Sequence, residues 1–379
     1  MLTSIRIQNF RSIRDASVKL GQVNLFIGPN NSGKSNFLKG IEFAAIRLSM
    51  SSNYAATAFD QVVNKEYLNS PPDEANPFSD QPNKYIKISA EFSFKYPGIT
   101  PSNLLIFSRN GDFDLSHTHI VQEGKGEAFW NSLPEQEKAK LTSNTPRLVR
   151  NLLSGTVVYK PDPAKFLGGR SLSFVEKLDA DAQNITLFLF NLSQNHENLF
   201  NKLKADFKNC ISTLSRVATP ADPSNSGLLK LKFFDTQENF YWAEEVSEGV
   251  LYFLALLCIV HQPNPPKLIL LEEPEKGIHP RRIREVMDFI FELARLRDIQ
   301  IILTSHSPYV VDSFADTPEC ISIFDRDLET GHTVINNAAE YIEQTNEELA
   351  AQGLPPVAYT DSLGEYWVSG FLGGVPLSL

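Results

Sequence analysis

The chain has 379 residues, of which 42% are hydrophobic and 21% charged, with a net charge of −10 and three cysteines. That is the make-up of a globular protein of one large or two ordinary domains, and the acidic balance argues against a generic polyanion binder while leaving room for a local basic face. No apolar run approaches the roughly 20 residues of a membrane helix. The N-terminus shows no signal peptide, and Cys210, Cys258 and Cys320 have no metal-ligand spacing, so the expected setting is cytoplasmic, with no membrane partner.

In chain order, Ile5 and Ile7 alternate with Arg6 and Gln8, a half-buried strand over 4–10. Val23 to Ile27 is a short apolar strand. It runs into Gly28-Pro29-Asn30-Asn31-Ser32-Gly33-Lys34-Ser35, a complete phosphate loop of the form G-x-x-x-x-G-K-[ST]. Such a loop presents successive backbone N–H groups and a helix N-terminus to an anion. Gly28 and Gly33 permit the turn, Lys34 reaches the outer phosphates, and Ser35 offers a hydroxyl to Mg²⁺. Phe37, Leu38, Ile41, Ala44, Ala45 and Leu48 recur at helical spacing behind it. The candidate nucleotide contacts are therefore Asn30, Asn31, Ser32, Gly33, Lys34, Ser35 and Asn36.

The middle of the chain is looser. Four prolines among Asn, Asp and Ser mark 69–83 as a surface loop. A period-two strand covers 85–94, with Ile86, Ile88, Ala90, Phe92 and Phe94 on one face. Asn110-Gly111 suggests a hairpin between 104–109 and 113–120. Residues 185–217 read as mostly helical, 219–227 as a linker carrying Pro220 and Pro223, and Leu229, Leu231 and Phe233 as one face of a strand.

From 247 onward helix alternates with strand, the pattern of a parallel α/β sheet. Ser247 to Val260 is apolar nearly all round, hence a buried helix, and its apolar run makes Cys258 a small core residue. Leu268 to Leu271 is a buried strand ending in Glu272-Glu273-Pro274, the form of a Walker B segment. Arg281 to Arg297 is amphipathic, and Ile299 to Leu303 is a further buried strand. The two carboxylates fall where α/β sheets place their ligands. Alternation along a strand turns neighbours to opposite sides, so different roles are assigned. Glu272 holds Mg²⁺, and Glu273 is the base that orients the attacking water. Ser247-Glu248-Gly249 opens the buried helix and reads either as a plain N-cap or as a phosphate-binding helix N-terminus. His306, in Thr304-Ser305-His306-Ser307 after the last buried strand, is placed to contact a γ-phosphate or the attacking water. Asp325-x-Asp327 reads as a turn rather than a metal site, and His117-Thr118-His119 as a strand face. No nuclease motif is found.

Together, Asn9-Phe10-Arg11-Ser12, Gly28 to Asn36, Ser247-Glu248-Gly249, Glu272-Glu273-Pro274-Glu275 with Gly277-Ile278-His279-Pro280, and Thr304 to Ser307 resemble the ABC-type ATPase heads of the RecF, SMC and OLD group. Within it the chain resembles the short AAA-family, OLD-like ATPases, which the tail 362–376 also looks like. The resemblance implies an ATP- and Mg²⁺-dependent ATPase that dimerises by sandwiching two nucleotides. Lys34 and Ser35 of one protomer would then face Ser247, Glu248 and Gly249 of the other. Residues 275–279 would form the D-loop at the seam, and Glu273, His306 and Lys34 would complete hydrolysis. It further implies a bacterial anti-phage setting with a separately encoded effector, a Toprim or HNH nuclease, and DNA sensing. The rivals are a RecF-like DNA repair ATPase and a nucleotide-gated scaffold with little turnover.

Three departures from the family pattern stand out. The signature is Ser-Glu-Gly rather than Ser-Gly-Gly, Glu272 replaces the usual Asp, and the Q-loop glutamine has only Gln61 and Gln81 as candidates. The fold expected is α/β: an ABC-type head of two lobes, one mixed β and one parallel, with a largely helical insertion. The expected divisions are 1–130 with Walker A, 131–227 the insertion, and 228–379 with signature, Walker B, D-loop, His switch and tail.

Overall fold

The structure, a computed structural model, describes residues 1–49, 87–93, 101–107, 121–122, 136, 147–211, 213–356, 359 and 362–374. Gln61, Gln81, Asn110-Gly111 and the His117/His119 pair lie outside the described residues.

Two sheets face each other across the first helix. The antiparallel sheet holds β1 (Leu2–Phe10), β2 (Ile13–Lys19), β4 (Lys87–Ser93), β5 (Pro101–Phe107) and β6 (Val121–Gln122), in the order β2-β1-β4-β5-β6. In β4, Ile88, Ala90 and Phe92 are buried, as the alternation requires. β5 and β6 pair with Pro101 opposite Gln122, the geometry of a hairpin arm. The second sheet has six strands in the order β17-β16-β3-β15-β14-β7. They are β17 (Thr333–Asn337), β16 (Ile321–Arg326), β3 (Val23–Ile27), β15 (Gln300–Thr304), β14 (Leu268–Glu272) and β7 (Val158–Tyr159). All pairings but β16–β17 are parallel.

Both faces of this second sheet are covered, which is why its strands read as continuous apolar runs. Phe26, Leu268, Leu270, Ile302 and Phe324 pack toward the antiparallel sheet and α1 (Lys34–Ser49). Their neighbours Leu25, Ile27, Ile269, Leu271, Ile301 and Leu303 join the opposite core. One strand thus feeds two cores by simple alternation. Under the loop that precedes α1, Phe26, Phe37 and Phe324 form a ring trio with centroids 4.9–5.7 Å apart.

The opposite core is built on α4 (Glu248–Val260), in which every residue from Gly249 to Val260, Cys258 included, is buried. Around it pack α2 (Ile185–Asn195), α3 (Glu197–Cys210) and α5 (Pro280–Arg297). The helical reading of 185–217 ends early. Leu214–Ala218 is strand β9, pairing with β12 (Lys232–Asp235), which itself pairs with β13 (Phe240–Trp242). The stretch read as a linker is a hairpin of β10 (Ala221–Asp222) and β11 (Asn225–Leu229), beside β8 (Arg170–Ser171). Pro223 and Ser224 form its tip, where the Ser224 N–H donates to Asp222 Oδ1 at 2.8 Å, an Asx turn.

The tail packs on its own protein. In α8 (Leu363–Val368), Leu363 and Trp367 are buried and the Gly364 N–H donates to Asp312 Oδ1 at 2.7 Å. Asp312 closes α6 (Pro308–Asp312), and a side chain at 364 would collide with the Pro308 carbonyl. Only glycine permits this approach.

At the C-terminal end of α4, His261 is buried and its Nε2 lies 2.8 Å from Asp206 Oδ2. Arg297, from the last turn of α5, reaches the same oxygen at 2.7 Å. Three helices meet at this joint. Burial holds the His261 pKa below its ordinary 6.5, with the Arg297 charge acting in the same direction against Asp206. The unfolded chain therefore binds the proton first. The contribution to stability is complete above about pH 6.5 and is lost as pH falls through the lower folded value. The urea midpoint of the wild type should drop more between pH 7.5 and 5.5 than that of His261→Gln; parallel profiles would refute this. Phe324→Ala, which opens a cavity in the ring trio, should cost about 3–5 kcal/mol by denaturant titration.

Candidate functional site

The loop Gly28–Ser35 leaves the C-terminal end of β3 and enters α1. Gly28 at φ 143°, Asn31 at 64° and Gly33 at 108° give it its shape. A Cβ on Gly28 would strike the Phe324 carbonyl oxygen, and one on Gly33 would strike the Thr333 hydroxyl. Both glycines are thus demanded by space as well as by backbone angle. The floor of the loop is the ring trio.

A cleft of about 730 Å³ opens over the loop. Asn30 to Asn36, Ser12, Lys160, Glu272, Glu273, Thr304, His306 and Arg326 line it. The structure thus gathers every candidate contact of the phosphate loop with both carboxylates and the histidine. Ser247, Glu248 and Gly249 are not among the lining residues.

Lys34 is 6% exposed, and its Nζ donates to the Gly28 and Pro29 carbonyls, each at 2.8 Å. Burial pushes its pKa down to about 8, against the pull of Glu273 and Glu272. An ammonium is thus held desolvated at the mouth of an anion-binding loop. Ser32 Oγ is buried without a hydrogen-bond partner among the described residues, an unspent polar group facing the same loop. Glycines that allow close approach, a buried ammonium and an unpartnered hydroxyl fit a polyphosphate. Ser35 Oγ donates to Glu272 Oε1, so the hydroxyl and carboxylate meet as two oxygens suited to Mg²⁺.

The two carboxylates do not diverge as strand alternation would have them. β14 ends at Glu272. Glu273 has left the strand, with φ at 50°, and its N–H donates to the Thr304 carbonyl at 3.0 Å. The left-handed turn brings both side chains into one cleft. A non-glycine residue in that region carries strain, a feature that concentrates at functional sites.

His306 Nε2 lies 3.7 Å from Glu273 Oε1. Burial, helped by the Lys34 charge, lowers its pKa, so the imidazole is neutral at neutral pH. Its backbone is held by Glu275, whose Oε1 accepts from His306 N–H at 3.2 Å and from Ser305 Oγ at 2.6 Å. Burial raises the Glu275 pKa. Sequence reasoning placed Glu275 only in the D-loop, and the structure adds this link to the histidine.

The Arg11-Ser12 corner between β1 and β2 also docks on the loop helix. Arg11 donates to Asn36 Oδ1 at 3.0 Å, and Asn36 donates to Ser12 Oγ at 2.8 Å. Lys160 and Arg326 were missed. The only sequence signal for Lys160 is the short β-branched and aromatic stretch 156–159, which forms β7.

The signature segment stands apart on the surface. Ser247 and Glu248 are exposed, and Ser247 occupies the N-cap of α4 without a capping hydrogen bond. Its hydroxyl accepts instead from Arg282 at 3.4 Å. The Glu248 carboxylate lies against Gly277, where a Cβ would collide with it. Signature and D-loop residues therefore form one patch. Asp327 behaves as a turn residue, accepting from the N–H and hydroxyl of Thr330, whereas Asp325, also expected in a turn, is a strand residue of β16 paired with Val334. No group of residues able to hold a metal through His, Cys, Asp and Glu alone occurs among the described residues. No helix of the described residues is long and apolar enough to cross a membrane.

Comparison with known proteins agrees with this geometry. The OLD nuclease of Thermus scotoductus is 20% identical over 335 residues, which is 82% of this chain and 60% of that protein. An uncharacterized ABC transporter ATP-binding protein of Bacillus subtilis, YhcH, is 39% identical over 49 residues, 13% of this chain and 15% of that protein. The chain thus spans less than two thirds of the length of the curated relatives it matches. The crystal structure of an SmcHead bound to the C-winged helix domain of ScpA superposes with a TM-score of 0.50 at 16% identity, covering 90% of this chain and 99% of that one. Residues 23–312 match the family described as "AAA domain, putative AbiEii toxin, Type IV TA system". That match spans most of the chain, from the strand before the phosphate loop to α6, and the chain belongs to this AAA-domain family, with a fold like that of an SMC head.

Proposed function

We propose that the chain binds ATP with Mg²⁺ in this cleft and hydrolyses it as a dimerising switch. The observation that carries the reading is the convergence of Lys34, Ser35, Glu272, Glu273 and His306 on one cleft from three separate segments of the chain. The backbone of residues 30–36 cradles the phosphates, and Lys34 neutralises their charge. Ser35 and Glu272 hold Mg²⁺, which when bound neutralises charge on the β- and γ-phosphates. Glu273 accepts a proton from the attacking water, and neutral His306 orients it from the other side. Ser247 to Gly249 would complete the site of a second copy, which accounts for an exposed helix N-terminus far from its own cleft. On this reading the chain divides into 1–130, the insertion 131–227, and 228–379.

Anti-phage defence with a separately encoded nuclease effector, DNA being the sensed ligand, is the biological setting we favour. Its support is the likeness to an OLD nuclease, over 82% of this chain and 60% of that protein. Phage plating on cells carrying the chain with its flanking genes should lose protection with Glu273→Gln; unchanged plating would overturn the setting.

Light scattering tests the switch. With ATP and Mg²⁺, Glu273→Gln should double in mass, and a chain that binds ATP yet stays a single copy would sink the sandwich. Lys34→Met should raise the Kd for ATP at least about thirtyfold, roughly 2 kcal/mol. Its nucleotide-free melting temperature should match or exceed the wild type's, since a buried ammonium opposes folding. Calorimetry and a thermal scan check the two halves.

A further inference from the structure

Lys160 is the residue of the insertion 131–227 that lines the cleft. It follows β7, which pairs in parallel with β14 so that Leu271 lies opposite Tyr159. The next residues, Lys160 and Glu272, therefore leave the same end of the sheet, the end at which parallel α/β sheets bind ligands. Lys160 Nζ lies 3.4 Å from Glu272 Oε2 and 3.9 Å from Glu273 Oε2. Its charge also reaches His306.

The mount is rigid and the arm is free. The Lys160 N–H donates to the Ala180 carbonyl at 2.8 Å, and the Asp162 N–H to the Asp181 carbonyl at 3.0 Å. Lys165 bonds the Asp181 carboxylate at 2.7 Å. Yet the Lys160 side chain is 47% exposed, bridged to carboxylates at distances that leave it free to move. Lys34, Lys160 and Arg326 are the cations among the residues that line the cleft. Lys34 is bonded to the loop carbonyls and Arg326 to the Gly331 carbonyl at 2.7 Å, which leaves Lys160 as the one bridged to Glu272 and Glu273. The loop amides and Lys34 approach from the loop side of the cleft, Lys34 reaching the outer phosphates from there, whereas Lys160 is held at the two carboxylates, on the side to which a terminal phosphate would extend.

We propose that Lys160 is the cation that tells a triphosphate from a diphosphate in this cleft. In the nucleotide-free chain it holds Glu272 and Glu273 together. A terminal phosphate offers it a stronger anionic partner, and turning to that partner releases the two carboxylates. This rests on the cleft being an ATP site.

The test is the affinity of the full chain, with Mg²⁺, for ADP and for the non-hydrolysable imido analogue of ATP, by calorimetry. Lys160→Ala should weaken the analogue about 10- to 100-fold, as loss of a charge-assisted contact does, and change ADP by less than about threefold. Lys160→Arg should restore most of the difference, which a purely structural role would not. Equal losses for both nucleotides, or none, would overturn the proposal while leaving the ATP site standing. Wild-type chain that binds neither nucleotide would overturn both readings. Lys160→Gln, with a melting temperature near the wild type's, separates loss of charge from loss of fold.

Discussion

Everything in the site depends on one ladder. β3, β15 and β14 pair in parallel, Leu25 opposite Leu303 and Leu271 opposite Leu303 on its other side. Because the three run the same way, the phosphate loop, His306 and the two carboxylates issue from one edge, although they are widely separated in sequence. The ladder holds its register because its residues alternate between two cores. A slip of one position would exchange the faces of the strand that slipped. The geometry of the cleft and the packing of the cores are thus set by the same constraint.

On that edge the electrostatics are deliberately unfinished. A desolvated ammonium, an unpartnered serine hydroxyl, two carboxylates in one cleft and a left-handed Glu273 each raise the energy of the ligand-free chain. Each would be relieved by a polyanion carrying a divalent cation. Burial beneath the loop supplies the compensation, chiefly the Phe26, Phe37 and Phe324 rings and the strand residues beside them. The arrangement is what a binding-driven switch requires, since a ligand shifts an equilibrium only by what it relieves.

The legible parts of this chain were those whose physics is local. The phosphate loop, the strand before it and α4 follow from spacing within short windows, and the structure has them at those positions. The parts that escaped are decided by distant partners. Leu214–Val217 continues a helical spacing, yet Val217 is a strand residue because Phe233 pairs with it. Pro220 and Pro223 suggested a linker, but Pro223 fits the tip of a hairpin, where no ladder hydrogen bond is lost. Glu273 escapes the strand rule because its backbone turns left-handed, which nothing in its neighbours announces. Lys160 could not be seen because its strand is two residues long and finds its partner more than a hundred residues later.

The helix that begins at Ser247 ends at the joint of His261, Asp206 and Arg297. Its 13 residues make a rod of about 20 Å. Because it is apolar on all sides and buried along nearly its whole length, it can neither rotate nor slide without exposing core. α4 is thus locked to the core around it, and its exposed N-terminus at Ser247 keeps a fixed position relative to the polar joint at the other end. In mechanical terms it is a strut rather than a moving part, and any surface that meets Ser247 meets a point anchored in the middle of the core.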